Sequence, residues 1–228
     1  MNETQGPRRV RSYVRREGRL TVGQERALRE LWPRYGVDPG QALLDPERLF
    51  GRKAPLTLEI GFGNGLSLAE MAQAMPEHDF LGVEVYRPGI GRLLLELEAR
   101  GLDNVCVIYG DGAEVLAYNI ADASLDSVQI FFPDPWPKKR HHKRRLIQPG
   151  FVAILARKLR PGGRLHLATD WQDYALHMQA VLDREGRFRS LGGPDGLAEA
   201  PAYRPRTKFE ARGEGLGHGV WDLLYERL

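Results

Sequence analysis

The chain has 228 residues, 42% hydrophobic and 28% charged, with one cysteine and a net charge of +3. That length suits one α/β domain with short additions, while a lone Cys106 excludes an intramolecular disulfide framework or a four-cysteine zinc site and points to a reducing cytoplasm. No apolar run approaches the ~18 residues of a membrane span and the polar, arginine-rich start is unlike a signal peptide, so a soluble, non-exported protein is expected.

The charges are segregated. Residues 1–20 hold six arginines against Glu3 and Glu17, residues 138–145 hold six cations and no acid, and the rest of the chain is left at −7. Two basic elements on an acidic body make an electrostatic footprint for a polyanion, although solvated charge runs would give the same counts.

In chain order, residues 1–50 carry the basic arm, with Arg11, Arg15 and Arg16, and a helix over residues 24–32. They are expected to form an RNA-binding appendage to a domain of residues 51–228. From Leu56 onward, β-rich runs (56–60, 79–85, 104–110, 127–132 and 164–169) alternate with amphipathic stretches (67–75, 90–100, 113–119, 149–159 and 171–184). Such a βαβ series predicts a doubly wound parallel sheet whose ligands sit beyond the carboxyl ends of the strands. Pro161-Gly162-Gly163 should end the fourth of these helices. After a Gly- and Pro-rich stretch, residues 192–219, the apolar run 220–225 could add an edge strand.

The first strand enters Glu59-Ile60-Gly61-Phe62-Gly63-Asn64-Gly65, a turn in which backbone can approach a ligand closely. Glu84 ends the second strand about 20 residues later, where a carboxylate could accept hydrogen bonds from ribose hydroxyls. Asp111 ends the third in the same manner. The dinucleotide fingerprint fails, because Leu66 occupies its last glycine position. Glu59 would repel a pyrophosphate but favour the ammonium or sulfonium of S-adenosylmethionine. The pattern favours that cofactor over a nicotinamide, with a turn that binds nothing as the bland alternative.

The fourth strand ends in Phe131-Phe132-Pro133-Asp134-Pro135-Trp136-Pro137, followed by KKRHHKRR. Three prolines stiffen this loop and hold Asp134 beside the expected methyl donor. Arg140, His141, His142, Lys143, Arg144 and Arg145 are candidates for phosphate contact. Adjacent histidines point in different directions and make a poor metal pair, so no metal is expected. Trp136 either packs the loop or stacks a base; Asp170 either adds a rim carboxylate or caps the next helix.

Taken together, RSYVRREGRL, EIGFGNG, FFPDPWPKKRHHKRR, ATDW and RTKFEARGEGLGHGVWDL resemble the bacterial, single-chain tRNA (guanine-N7-)-methyltransferases over nearly the whole chain. The PDPW-basic loop and TKFE are the specific pieces; the glycine turn alone would mark only a class I methyltransferase. Tyr86 and Tyr13 depart from the His and Phe common in that family. The resemblance implies a Rossmann-like, mostly parallel seven-stranded sheet with an added antiparallel C-terminal strand. It further implies S-adenosylmethionine held by Glu59, Gly61, Gly63, Glu84, Asp111 and Asp134, with Asp134 also catalytic. Lys138, Asp170, Thr207, Lys208, Phe209 and Glu210 would bind the guanosine, and residues 140–145 with the arm would contact tRNA. The implied reaction methylates N7 of guanosine 46 in the variable loop, in the cytoplasm, by a monomer or homodimer without an obligatory partner. An exocyclic-amine methyltransferase and a noncatalytic RNA-binding module are the alternatives.

Overall fold

Strands buried on both faces read as continuous apolar runs, and the first two strands are buried at every position: β1 (Leu56–Ile60) and β2 (Asp79–Glu84). The computed structural model describes Ser12, residues 18–205 and residues 219–228. Its other strands are β3 (Val105–Tyr109), β4 (Leu125–Phe131), β5 (Leu159–Thr169), β6 (Phe188–Ser190) and β7 (Trp221–Arg227), in the order β3-β2-β1-β4-β5-β7-β6. The β1–β5 ladders are parallel, and β7 runs antiparallel to both of its neighbours. Helices α1 (Val22–Glu30), α2 (Trp32–Tyr35), α3 (Pro46–Phe50), α4 (Leu66–Ala74), α5 (Arg87–Arg100), α6 (Gly112–Tyr118), α7 (Pro149–Lys158) and α8 (Gln172–Asp183) complete the fold. No helix among the described residues is long and apolar enough to cross a membrane.

Two cores form, one per face of the sheet. Leu56, Leu58 and Ile60 join the core that holds Leu165 and Tyr225, whereas Phe80, Val107 and Phe131 join the other. With a side-chain period of two, Thr57 and Glu59 face this second core. Since β2 and β4 flank β1 on opposite sides, the chain reverses its winding there, and a crevice opens beyond the carboxyl ends of these strands.

Two expectations are corrected. The C-terminal strand is not the sheet edge: β7 lies between β5 and β6, and the edge is β6, three residues too short to show alternation. Pro161-Gly162-Gly163 does not separate helix from strand. α7 ends at Lys158, β5 begins at once, and the extra residues form a bulge opposite Leu125 and Ser127, where proline's missing N–H is tolerated. Residues 21–50 pack against the sheet domain. Thr21 caps α1 through a reciprocal pair with Gln24, Ala27 and Tyr35 are buried, and the Gln24 amide donates to the Pro88 carbonyl at 3.0 Å. Val37 donates to the Val107 carbonyl at 2.8 Å, which covers the β3 edge.

Candidate active site

A cavity of about 640 Å³ occupies the crevice, within the range usual for small-molecule sites. Gly61, Gly63, Glu84, Tyr86, Asp111 and Asp134 lie on its wall. Gly61 and Gly63 have φ of +78° and +62°, and a Cβ on either would project into open space. Glycine therefore supplies both the left-handed turn and bare backbone for a ligand to approach.

Glu84 fixes this turn from below. One of its oxygens accepts from Gly63 N–H at 2.8 Å, the other from Val85 at 2.7 Å and Tyr86 at 3.0 Å. Burial pushes its pKa up, the three N–H groups oppose this, and nearby Asp134 adds to the rise. Asp111 stands two residues beyond β3, and its Oδ1 caps α6 by accepting from Ala113 N–H at 2.9 Å. Glu59 is not on the cavity wall. It is 2% exposed, its register partners are Gly82 and Gln129, and its Oε2 lacks a hydrogen-bond partner. Burial, and secondarily Glu84, push its carboxyl up to about 8.

Asp134 is exposed at the cavity mouth, on a backbone with two unusual neighbours. Phe132 and Trp136 have φ of +51° and +46°, two of the three non-glycine residues with positive φ among the described residues. Both also precede a proline, which favours extended backbone. Left-handed conformations cost roughly 1–3 kcal/mol each and persist only where the surroundings impose them. At Trp136 those surroundings are plain: Arg144 Cζ lies 3.7 Å from the ring centroid, His141 meets the ring edge-on at 5.9 Å, and the indole N–H donates to the Ser12 carbonyl at 3.0 Å. Trp136 thus packs the loop.

The basic run forms a 3₁₀ helix, Lys139–Arg144, with Lys138 as its N-cap. Lys138, Lys139, Arg140 and Lys143 are exposed, and His141, His142 and Arg144 half-buried. Burial and neighbouring cations pull His141 below its ordinary pKa. Arg145, expected as a phosphate contact, is turned inward. It is 2% exposed, donates to the Pro135 carbonyl at 2.9 Å and to Asp173 at 2.5 Å, and lies over the Tyr174 ring. Its charge is consumed in docking the loop to α8.

Asp170 does not cap α8, whose N-cap is Trp171 with no side-chain cap bond, nor does it line the cavity. Arg11, Arg15, Arg16, Thr207, Lys208, Phe209 and Glu210 lie outside the described residues. Sequence reasoning gave no site role to Tyr86, although its place two residues after the β2 acid was a usable signal.

Residues 53–223 match the family model described as "Putative methyltransferase". A tRNA (guanine-N(7)-)-methyltransferase of Nitrosococcus oceani is 60% identical over 221 residues, 97% of this chain and 92% of that protein. One from Alcanivorax borkumensis is 57% identical over 220 residues, 96% and 92% of the two chains. The chain belongs to the tRNA (guanine-N(7)-)-methyltransferase family. Among solved structures, the 16S rRNA methyltransferase KamB is similar with a TM-score of 0.56 and 14% identity, over 86% of this chain and 99% of that one. A SAM-dependent methyltransferase from Aquifex aeolicus gives 0.53 and 16%, over 82% and 91%. These two likenesses concern the fold, the class I methyltransferase sheet.

The cavity fits the S-adenosylmethionine on which such methyltransferases depend. Its volume suits a nucleoside-sized ligand, the space at Gly61 and Gly63 admits close backbone approach, and the orphaned Glu59 oxygen behind the turn is a buried polar atom without a partner.

Proposed function

We propose that this protein methylates N7 of a guanosine in the variable loop of tRNA, position 46, forming 7-methylguanosine. The observation that carries this reading is a carboxylate, Asp134, at the mouth of an acid-lined cavity, on the loop that runs directly into a segment with four exposed cations, Lys138, Lys139, Arg140 and Lys143. The names of its relatives point to the same substrate and atom.

S-adenosylmethionine, when bound, supplies an electrophilic methyl group. Glu84 and Asp111, with the backbone of Gly61 and Gly63, would hold it, Glu84 taking the ribose hydroxyls, and Glu59 is proposed as a cofactor residue on resemblance alone. Guanine N7 bears a lone pair and no proton, so its attack needs no general base. Asp134 has two tasks: to orient the purine, and to stabilise the positive charge that the ring gains in the transition state. The exposed cations of the 3₁₀ helix hold phosphates and add affinity without selecting a base. Lys138, Asp170 and residues 207–210 are proposed as guanosine contacts on resemblance alone, and the basic arm as a further RNA contact.

The test is methyl transfer to unmodified tRNA, with mass-spectrometric mapping of the modified nucleoside. We expect a single 7-methylguanosine in the variable loop. A methyl group on an exocyclic amine, or cofactor binding without turnover on any tRNA, would overturn the proposal.

A further inference from the structure

A buried charge cluster behind the cavity has no part in the chemistry above. Asp222, the second residue of β7, is 3% exposed. His166 Nε2 lies 2.7 Å from its Oδ1, Arg204 Nε 2.8 Å from the same oxygen, and Arg204 Nη2 3.0 Å from Oδ2. The Tyr203 hydroxyl lies 2.9 Å from His166 Nδ1. A carboxylate only accepts, so Nε2 carries the proton, Nδ1 is the bare acceptor, and the Tyr203 hydroxyl donates to it. The imidazole is neutral, and its burial pulls the pKa down in keeping with that state. Buried ion pairs often stabilise a fold less than apolar packing of equal volume, so a positional role is worth seeking.

The location of the cluster supplies one. His166 sets its ring edge against Phe131, with centroids 4.9 Å apart at 77°, and Arg204 Cζ lies 6.0 Å from the same ring. Ala168 is the register partner of both Phe131 and Asp222, and its carbonyl accepts from Phe132 N–H at 2.8 Å. Phe131 ends β4; the left-handed Phe132, Pro133 and Asp134 follow directly.

We propose that His166, Asp222 and Arg204 are positioning residues for methyl transfer: they brace Phe131 against β5 and thereby hold the left-handed Phe132 that presents Asp134 to the cavity. This rests on the role given to Asp134 above. The competing possibility is a staple that merely ties β7 to β5. Steady-state kinetics on tRNA decide between them, using His166→Gln, Phe132→Gly, the double variant and Asp134→Asn. His166→Gln retains a donor for Asp222 but loses both the ring against Phe131 and the acceptor for Tyr203. Misplacement of a reacting group should lower its kcat roughly tenfold, with KM for tRNA within about threefold of the parent. Glycine adopts left-handed backbone unaided, so the double variant should lose less than the product of the two single effects. A kcat within about twofold of the parent, or effects that simply multiply, would make the cluster a staple and overturn the proposal. Full turnover in Asp134→Asn would instead remove the role of Asp134, a separable failure. If His166→Gln does not fold, Tyr203→Phe, which removes one oxygen, carries the same test. A fall in kcat at constant KM supports positioning, and a lowered Tm with unchanged kcat overturns it.

Discussion

Arg145 donates to the Asp173 carboxylate at 2.5 Å, joining the end of the basic loop to the first turn of α8. The arginine side chain is 1% exposed and the aspartate's 64%, so the two ends of this pair have unequal stakes. Removing Asp173 leaves a buried guanidinium whose remaining polar partners among the described residues are the Pro135 carbonyl and His142. Asp173→Ala should cost about 1–3 kcal/mol by urea unfolding at neutral pH, less than a fully buried pair because water already screens the carboxylate. Arg145 holds the Asp173 carboxyl below its ordinary pKa. The contribution is therefore present above about pH 4 and fades as acid protonates the folded state. A denaturation midpoint unchanged in Asp173→Ala would contradict this account.

Exposure divides the basic run into two groups with different expected effects. Lys139→Ala, Arg140→Ala and Lys143→Ala should each weaken tRNA binding and reduce the slope of log Kd against log salt by about 0.7 to 0.9 for every phosphate left without its cation. Arg145→Ala should lower stability while leaving that slope unchanged. Binding titrations at several salt concentrations separate the two groups.

Asp134→Asn retains the shape of the carboxylate and removes its charge. On the proposed mechanism it should lose roughly 10²–10³ in kcat, the range for deletion of one preorganised electrostatic group, while the Kd for tRNA stays within about threefold. Single-turnover methyl transfer alongside a binding isotherm measures both; equal rates would exclude Asp134 from the chemistry.

Glu59 predicts a pH dependence of stability. Its folded carboxyl titrates at about 8 against an ordinary 4.5, so between these values the folded protein retains a proton that the unfolded chain has released. Stability of the cofactor-free protein should then fall as pH rises through this window and level off above about 8. Glu59→Gln, a neutral isostere, should be nearly silent at pH 5 and stabilising by roughly 1–3 kcal/mol at pH 8.5, with cofactor affinity reduced. Parallel unfolding curves at the two pH values would disprove it.

Helix α5 sets the glycine turn by close approach, since a Cβ on Gly89 would collide with the Gly63 carbonyl oxygen and little else could yield. Gly89→Ala should displace the turn and weaken cofactor binding by at least about tenfold, with a loss of roughly 1–3 kcal/mol in stability. Calorimetric titration with S-adenosylhomocysteine gives the first quantity and thermal unfolding the second.

The parts legible in the sequence were those encoded locally. Apolar runs bounded by glycine and proline marked the first five strands, and the acids that close β2 and follow β3, Glu84 and Asp111, flagged the cavity because strand ends in such a sheet converge. The sign of φ at Phe132 and Trp136 was hidden, since bulky residues before proline read as extended, and the contacts that hold the loop otherwise, from Arg144, His141 and the Ala168 carbonyl among others, come from elsewhere in the chain. Within KKRHHKRR, composition could not tell which cation turns inward. That choice depends on Asp173 and Tyr174, 28 and 29 residues further along the chain. Asp222 stands in a recognisable motif, yet its role is invisible there because its partners lie on β5 and in the segment before residue 205.

The insertion of β7 between β5 and β6 bears on synthesis at the ribosome. Its residues emerge last of the seven strands, yet β6 pairs with nothing else in the sheet and β5 loses one whole flank without it. Until β7 has emerged, the nascent chain presents an open β5 edge over Arg164–Thr169, a template for mispairing with other polypeptides. Completion of the sheet thus waits on β7, which alone joins β6 to the other strands.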